Sequence, residues 1–588
     1  MKTEQTWGPI VLKDGRTRFQ IWAPSQARVL LELDNRLISM AKTEDGWHRT
    51  DEQATAGTAY RFVLGNGHRI ADPASRRQSM ALDGPSILTD ANKYNWQVGR
   101  WKGRDWEEAV IYELHIGTFT RDGTFKAAAE KIAYLAEIGF TAIELMPLAH
   151  FPGERGWGYD GVLHFAPHNA YGTPDDLKML VDTAHCHGVM VFLDVVYNHF
   201  GPEGNHLGDY APQFFRDDVS TPWGAAIDFR RPEVRAYFVE NALYWLTEFR
   251  FDGLRFDAID QIRDQSDLHI LEELAQRVRS EINGRRIHLI TENPANSTDL
   301  TAERLSGRLY SADWNDDFHH AMHVAVTGEK TGYYEAFDQD PWQLLRKIVT
   351  QGYLNPGSGV LTDNPPPSAS LLPTAFIHFL QNHDQVGNRA FGDRLHLGIN
   401  RQLYRALVEM LMLSPQIPMV FMGDDHLSPR PFHFFADYGG EMAKAVRDNR
   451  PKEASNFGGI PEGASASDIP DPNDMTTFNK SKLDWNDNET EGGAAWSKFL
   501  ATLIGVRQRW IVPLLKDVSE HSSSALDAPE GCLFIDWRLG TATLQIRANL
   551  SKTNLPRPDA VGSKIYETSR CVGSDIPAFS VEVWACSG

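Results

Sequence analysis

The sequence predicts an α/β protein: a (β/α)8 (TIM) barrel preceded by a β-sandwich and followed by a small all-β domain. Three observations predict it. Eight short apolar runs between Val110 and Met422 are separated by longer stretches of helical period, the signature of repeated βα units. Three carboxylates, Asp257, Glu292 and Asp384, each lie at the downstream end of such a run, where a parallel barrel gathers its catalytic groups at one mouth. On both flanks the chain changes to short alternating apolar and polar runs punctuated by Gly, Asn, Asp and Pro turn signals.

Residues 1–95 carry the first alternating runs, Arg18-Phe-Gln-Ile-Trp-Ala23, Arg28-Val-Leu-Leu-Glu-Leu33 and Ala59-Tyr-Arg-Phe-Val-Leu64, and form the predicted N-terminal β-sandwich. A linker over 96–109 leads to the catalytic barrel, 110–513. Its eight predicted strands are Val110–His115, Ala142–Met146, Val189–Asp194, Gly253–Asp257, Ile287–Glu292, Arg308–Asp313, the run from Phe376 toward Asp384, and Pro418–Met422. Between the second and third, Thr173-Pro174 opens a helix with a side-chain cap and a proline preset for its first turn. Two long connections interrupt the barrel, at about 198–229 and 423–485, and long βα loops are where such a barrel keeps its specificity. Residues 514–588 return to alternation, as in Cys532-Leu-Phe-Ile-Asp-Trp537 and Thr541-Ala-Thr-Leu-Gln-Ile546, and make the C-terminal β-domain.

Composition narrows the function. A net charge of −20 repels nucleic acid and anionic membrane and suits a neutral substrate. The N-terminus has no apolar signal core, and no run is long enough to span a bilayer, so the chain is expected in the cytoplasm. Its four cysteines have no C-x-x-C spacing, which predicts reduced thiols rather than a zinc site or disulfide framework. No metal and no cofactor is predicted.

Glycosidic cleavage with retention needs a carboxylate nucleophile and, about 5–5.5 Å away, a protonated carboxyl near the leaving oxygen. Asp257 and Glu292 fit these roles, one βα unit apart and so on neighbouring strands. Arg255 points to the same side of its strand as Asp257 and holds it ionised; the apolar run before Glu292 desolvates that residue and keeps it protonated. Asp384, next to His383, grips sugar hydroxyls and favours a distorted ring. Asp194, with Asn198 and His199 after it, and His115 at the end of the first strand are either substrate contacts or loop anchors.

Four segments, Asp194-Val-Val-Tyr-Asn-His199, Gly253-Leu-Arg-Phe-Asp257, Leu289-Ile-Thr-Glu292 and Gln381-Asn-His-Asp384, resemble the four short motifs of the α-amylase superfamily of glycoside hydrolases, in order. The resemblance implies that Asp257 is the nucleophile, Glu292 the general acid/base and Asp384 the transition-state stabiliser. It also implies that His199, Arg255 and His383 line the same sugar subsite and that Tyr159 of Trp157-Gly-Tyr-Asp-Gly161 stacks on the sugar. Within the superfamily the likeness over nearly the whole chain is to the trehalose-releasing trehalohydrolases, carried by Phe379–Arg389, Pro431–Phe435, Asp437–Glu441, Asp471–Asp474 and Lys482–Trp485. This implies hydrolysis of the α-1,4 bond next to the terminal α,α-trehalose unit of maltooligosyl trehalose. The substrate then comes from a partner enzyme, a maltooligosyl trehalose synthase. Trp223 and Phe432 are expected walls of the pocket for the bent disaccharide. The chain departs from the family pattern at Gly423-Asp-Asp-His426, where a Gly-Glu-Glu-Trp-like sequence is expected. The alternatives are a branching or isoamylase-like debranching enzyme of the same fold, and a noncatalytic glucan-binding protein.

Overall fold

The computed structural model describes residues 5–586 apart from 80, 305–306, 517, 519 and 569–573. Eight parallel strands close a barrel: β1 (Ile111–Leu114), β2 (Ala142–Leu145), β3 (Met190–Val195), β4 (Gly253–Phe256), β5 (His288–Glu292), β6 (Ala312–Trp314), β7 (Phe376–Phe379) and β8 (Ile417–Phe421), with β8 pairing back onto β1.

Side-chain alternation divides the barrel interior into two halves. Near the N-terminal ends, Ile111, Ala142, Met190, Phe192, Ile290, Ala312, Ile377 and Ile417 pack an apolar core on Trp106, which closes the bottom and donates its indole N–H to the Thr374 carbonyl at 2.7 Å. One step further along the same inward rows the residues turn polar: Glu113 on β1, Glu144 on β2, Asp194 on β3, Arg255 on β4 and Glu292 on β5. All but Glu292 are almost wholly buried. The apolar layer fixes the backbone, so the polar layer above it is held on rigid strand ends.

Seven of the eight predicted strands match within two residues at their starts. The sixth is displaced: Ala312–Trp314 is the strand, and Arg308–Ser311 precedes it. Only the later segment finds partners on both sides, Ile290 opposite Ala312 and Phe376 opposite Asp313, while Tyr310 N–H goes to the Leu300 carbonyl. The two long connections are more ordered than their Gly, Pro and Asp content suggests. The first folds into a short helix, Leu207–Tyr210, and a hairpin, Phe215–Thr221 with Gly224–Ile227; the second contains helices Gly440–Ala454 and Met475–Lys480. Thr173 caps helix Pro174–Cys186 in a reciprocal box with Asp176, with Pro174 at the first turn.

Before the barrel lie two antiparallel sheets. One holds Ile10–Val11, Thr17–Trp22, Ala41–Lys42 and Trp47–Glu52, and the other holds Leu30–Leu33, Arg36–Ser39, Ala59–Val63, Arg69–Ile70 and Ser86–Ile87. They are joined to the barrel by a shared core. Trp7 is fully buried, packs edge-on against Trp47, Phe214 and Tyr237, and donates to the Glu233 carbonyl. Beyond the barrel a five-stranded sheet, Cys532–Leu539 and Ala542–Asn549 among its strands, completes the chain. Cys186 and Cys532 are free thiols; Cys571 lies outside the described residues. Among the described residues no helix is long and apolar enough to cross a membrane.

Candidate active site

Arg255 is the hub. Its guanidinium is buried and lies over the Trp314 ring, 4.1 Å from the centroid. Nη1 donates to Asp194 Oδ2 at 2.7 Å and to Asp257 Oδ1 at 2.9 Å, and Nη2 is 3.5 Å from Glu292 Oε2. One cation therefore touches three carboxyls from three adjacent strands. Register makes this possible: Asp194 pairs with Arg255 across β3 and β4, and Arg255 with Ile290 across β4 and β5, one inward step before Glu292.

Asp257 follows β4 directly. Its second oxygen accepts from Asn198 Nδ2 at 2.9 Å, and the same amide donates to the Asp257 carbonyl. Both carboxylate oxygens are thus acceptors with one fixed orientation. Glu292, the last residue of β5, accepts from Ala258 N–H at 2.6 Å. Burial pushes its pKa well above the usual carboxylate range. Arg255 opposes the shift, and the like charges of Asp257 and Asp316 reinforce it.

Asp384 is the most open of the three, with 40% of its side chain exposed. It stands five residues beyond β7, in the first turn of a short helix, His383–Gly387, that Asn382 caps, and Asn388 donates to it at 2.9 Å. His383 beside it is buried. Its Nδ1 meets the Glu113 carboxylate, its backbone N–H reaches the other Glu113 oxygen at 3.1 Å, and its Nε2 is 3.6 Å from Asp384. Burial alone would lower the imidazole pKa, but the Asp384 and Glu113 carboxylates outweigh it and raise it to about 9. His383 is therefore an imidazolium at neutral pH. Because its folded pKa exceeds the unfolded value near 6.5, its contribution to stability is complete below pH 6.5 and is lost as pH rises through 9, about 3 kcal/mol in all. Chemical denaturation at pH 6.5 and pH 9.5 should show this loss in the wild type and not in His383→Asn.

Tyr159 stacks on His383, ring centroids 5.2 Å apart and 19° from parallel, and donates its hydroxyl to Asp194 at 2.6 Å. Asp194 is almost wholly buried and is pushed up to about 6 by that burial, against the pull of Arg255. His199 bonds the Tyr159 carbonyl through Nε2 and lies under Trp223, with centroids 4.4 Å apart and planes 5° from parallel. Trp223 sits at the tip of the hairpin and is half exposed.

One open alternative and one expected contact fall on the same side, behind the cleft. His115 is buried with both ring nitrogens committed, to Thr118 on one side and to the Gly156 carbonyl and Tyr171 hydroxyl on the other, and burial holds its pKa down at about 3. Phe432 has no exposed surface and stacks beneath Trp157, 5.4 Å between centroids. Both brace the Gly156–Trp157 turn from behind, because the cluster that looks like a pocket wall in the sequence is a second layer.

Three further acids line or underlie the site although no motif announces them. Glu113 and Glu144 are inward-row acids inside otherwise apolar strands, a placement that strand alternation could have flagged. Among the described residues Glu144 has no hydrogen-bond partner, and burial next to Asp194 raises its pKa well above the usual range. Asp316, just after β6, is pushed up to about 7 by burial and by Asp384.

The departure at Gly423–His426 is structural. Asp424 receives two bonds from Gln381 and one from Arg394, and Asp425 receives the hydroxyls of Tyr112 and Tyr134, each at 2.8 Å, plus the His426 ring at 2.9 Å. These buried acids lock the end of β8 to β1 behind the site. Asp425→Ala strands several buried donors and is expected to cost about 3 kcal/mol, measurable as a lower denaturant midpoint with an unchanged slope.

A closed parallel barrel with clustered carboxyls at the C-terminal ends of β3, β4 and β5 defines a glycosidase of the α-amylase class, and residues 84–213 match the α-amylase catalytic-domain family model. A crystal structure of a putative α-amylase from Salmonella typhimurium superposes with a TM-score of 0.94 at 44% identity, covering all of both chains. The malto-oligosyltrehalose trehalohydrolase of Deinococcus radiodurans is 41% identical over 81% of this chain and 78% of its own, and that of Rhizobium sp. is 38% identical over 84% and 85%. The chain belongs to the malto-oligosyltrehalose trehalohydrolase family. A branching enzyme from Corynebacterium jeikeium is 32% identical, but over 52% of this chain and 49% of its own.

Proposed function

We propose that the protein hydrolyses, with retention, the α-1,4 bond joining a maltooligosaccharide to a terminal α,α-trehalose unit, releasing trehalose. One observation carries the chemistry: Asp257 and Glu292 on neighbouring strands share one guanidinium, yet Asp257 is an acceptor on both oxygens while burial raises Glu292. Contact with one cation supports the short separation that a retaining pair requires. The names and coverage of the relatives support the choice of bond over the α-1,6 branch points of the rival enzymes.

In this reading Asp257 attacks the anomeric carbon of the maltooligosaccharide and Glu292 gives its proton to the departing O4 of trehalose. The resulting glycosyl ester is opened by a water from which Glu292 takes the proton back. Arg255 steadies the Asp257 carboxylate through both halves. His383, donating from Nε2, and Asp384, accepting, hold hydroxyls of the same sugar, and Tyr159 offers it a stacking face. The 1,1-linked leaving unit is bent and has no reducing end, so Trp223 on its hairpin is the candidate wall that admits it and leaves linear glucan poorly paired. An upstream synthase that converts a reducing-end linkage to the 1,1 form completes the sequence.

Proton NMR of early product tests the stereochemistry: the new reducing end on the maltooligosaccharide should appear first as the α anomer. Initial β anomer would make the mechanism inverting and remove Asp257 as nucleophile. The raised Glu292 also sets the sign of the pH dependence. It is the acid whose loss of a proton ends turnover, so kcat/KM should fall on the alkaline side, and Glu292→Gln should remove that limb from its residual rate.

A further inference from the structure

Away from the cleft, two imidazoles and a carboxylate meet where the N-terminal sandwich touches the loop after β3. His68 ends the tight turn between Ala59–Val63 and Arg69–Ile70, and His206 and Asp209 lie at the start of and within the short helix Leu207–Tyr210. One donor atom from each lies within 4.8 Å of the others, and among the described residues this is the one such cluster of three or more. Asp209 Oδ2 is 3.4 Å from His206 Nδ1 and 3.8 Å from His68 Nδ1. A tetrahedral zinc with bonds of about 2.0–2.1 Å holds its donors about 3.3 Å apart, a spacing that Asp209 Oδ2 already comes near to with each imidazole, while the two imidazole donors lie within 4.8 Å of one another.

Two independent features favour an ion over a loose ion pair. The far nitrogen of His206, Nε2, is bonded to Asp83 at 2.9 Å, which fixes the tautomer and turns the Nδ1 lone pair toward Asp209, the carboxylate–histidine arrangement found behind metal ligands. The two sides are also already registered: Gln26 accepts from Gly65 N–H in the His68 turn and donates to the Asp209 carbonyl, while Ser25 donates to Tyr210. From this we infer that His68, His206 and Asp209 form a divalent transition-metal site, zinc by its mixed nitrogen and oxygen donors, with water as fourth ligand. The ion staples the sandwich to the loop that carries Trp223 and takes no part in the chemistry.

The test is calorimetric titration of EDTA-treated full-length protein with Zn2+ alone, with Mg2+ as control. The expected result is one zinc per chain at micromolar affinity, a raised Tm, and no magnesium binding. His68→Ala should weaken binding by at least 100-fold while leaving turnover unchanged. Asp83→Asn, which touches only the ring behind the ion, should weaken it about 10-fold. His68 is in an exposed turn, so its variant stays folded even if His206→Ala does not. Absence of stoichiometric zinc binding, or binding undiminished in His68→Ala, would overturn the assignment; the first means that His206 bridges Asp83 and Asp209 with protons alone.

Discussion

Glu292→Gln is expected to lower kcat by about 10³-fold, the middle of the range for losing a general acid and base, while binding of substrate is retained. Glutamine keeps the shape and can still accept from Ala258 N–H, but it has no acidic proton to give the leaving oxygen. The defect should depend on the leaving group. An α-glucosyl fluoride, whose fluoride departs without protonation, should glycosylate Asp257 in the variant at a rate within about 10-fold of wild type, because only the first proton transfer is bypassed. Stopped-flow measurement of both substrates separates the roles. Equal losses on both would assign Glu292 to positioning and leave the proton donor unidentified.

Arg255→Ala should be the most damaging single change to stability in the site. The guanidinium compensates Asp194 and Asp257 directly and Glu292 at longer range, and all three are mostly enclosed. Removing one partner of a buried charge pair costs about 3–5 kcal/mol, and here it also leaves the face of Trp314 without its cation. The sign of the pH effect follows. Asp194 already sits at about 6 with the arginine present; without it the carboxyl titrates higher still, so the loss should be largest at pH 8 and shrink toward pH 5 as Asp194 becomes neutral. Arg255→Lys should not rescue activity, because an ammonium cannot bridge Asp194 and Asp257 with the planar geometry of a guanidinium. Denaturant midpoints at the two pH values check the first statement, and kcat/KM of the lysine variant checks the second.

The fold was legible because a parallel barrel writes each strand as a short apolar run. Three of the strands also end on residues with distinctive chemistry, Asp194, Arg255-Phe-Asp257 and Thr291-Glu292. The sixth strand slipped because Arg308–Ser311 is as apolar as Ala312–Trp314, and only the neighbouring strands decide which segment pairs. The carboxyl triad was visible as spacing, but its supports were not. Glu113, which clamps His383, and Glu144, which lies near Asp194, are single acids inside apolar strands, and their meaning depends on which row faces inward. Phe432 shows the reverse failure, and His115 takes the anchoring one of the two readings that the sequence left open. Aromatic and imidazole side chains near motifs read as ligand contacts, yet a barrel mouth needs a second layer to hold its turns, and these two residues belong to it. Asp424 and Asp425 read as a departure from the family pattern and prove to be the clasp between β8 and β1.

The most direct test of the central claim is product analysis. Purified protein is incubated with maltopentaosyl trehalose and, separately, with maltoheptaose and a branched glucan, and the products are resolved by chromatography. The account predicts trehalose and maltopentaose from the first, with the other two turned over at least 100-fold more slowly. Shortened or rebranched glucan without trehalose would contradict it and assign the same carboxyls to the branching or debranching reaction.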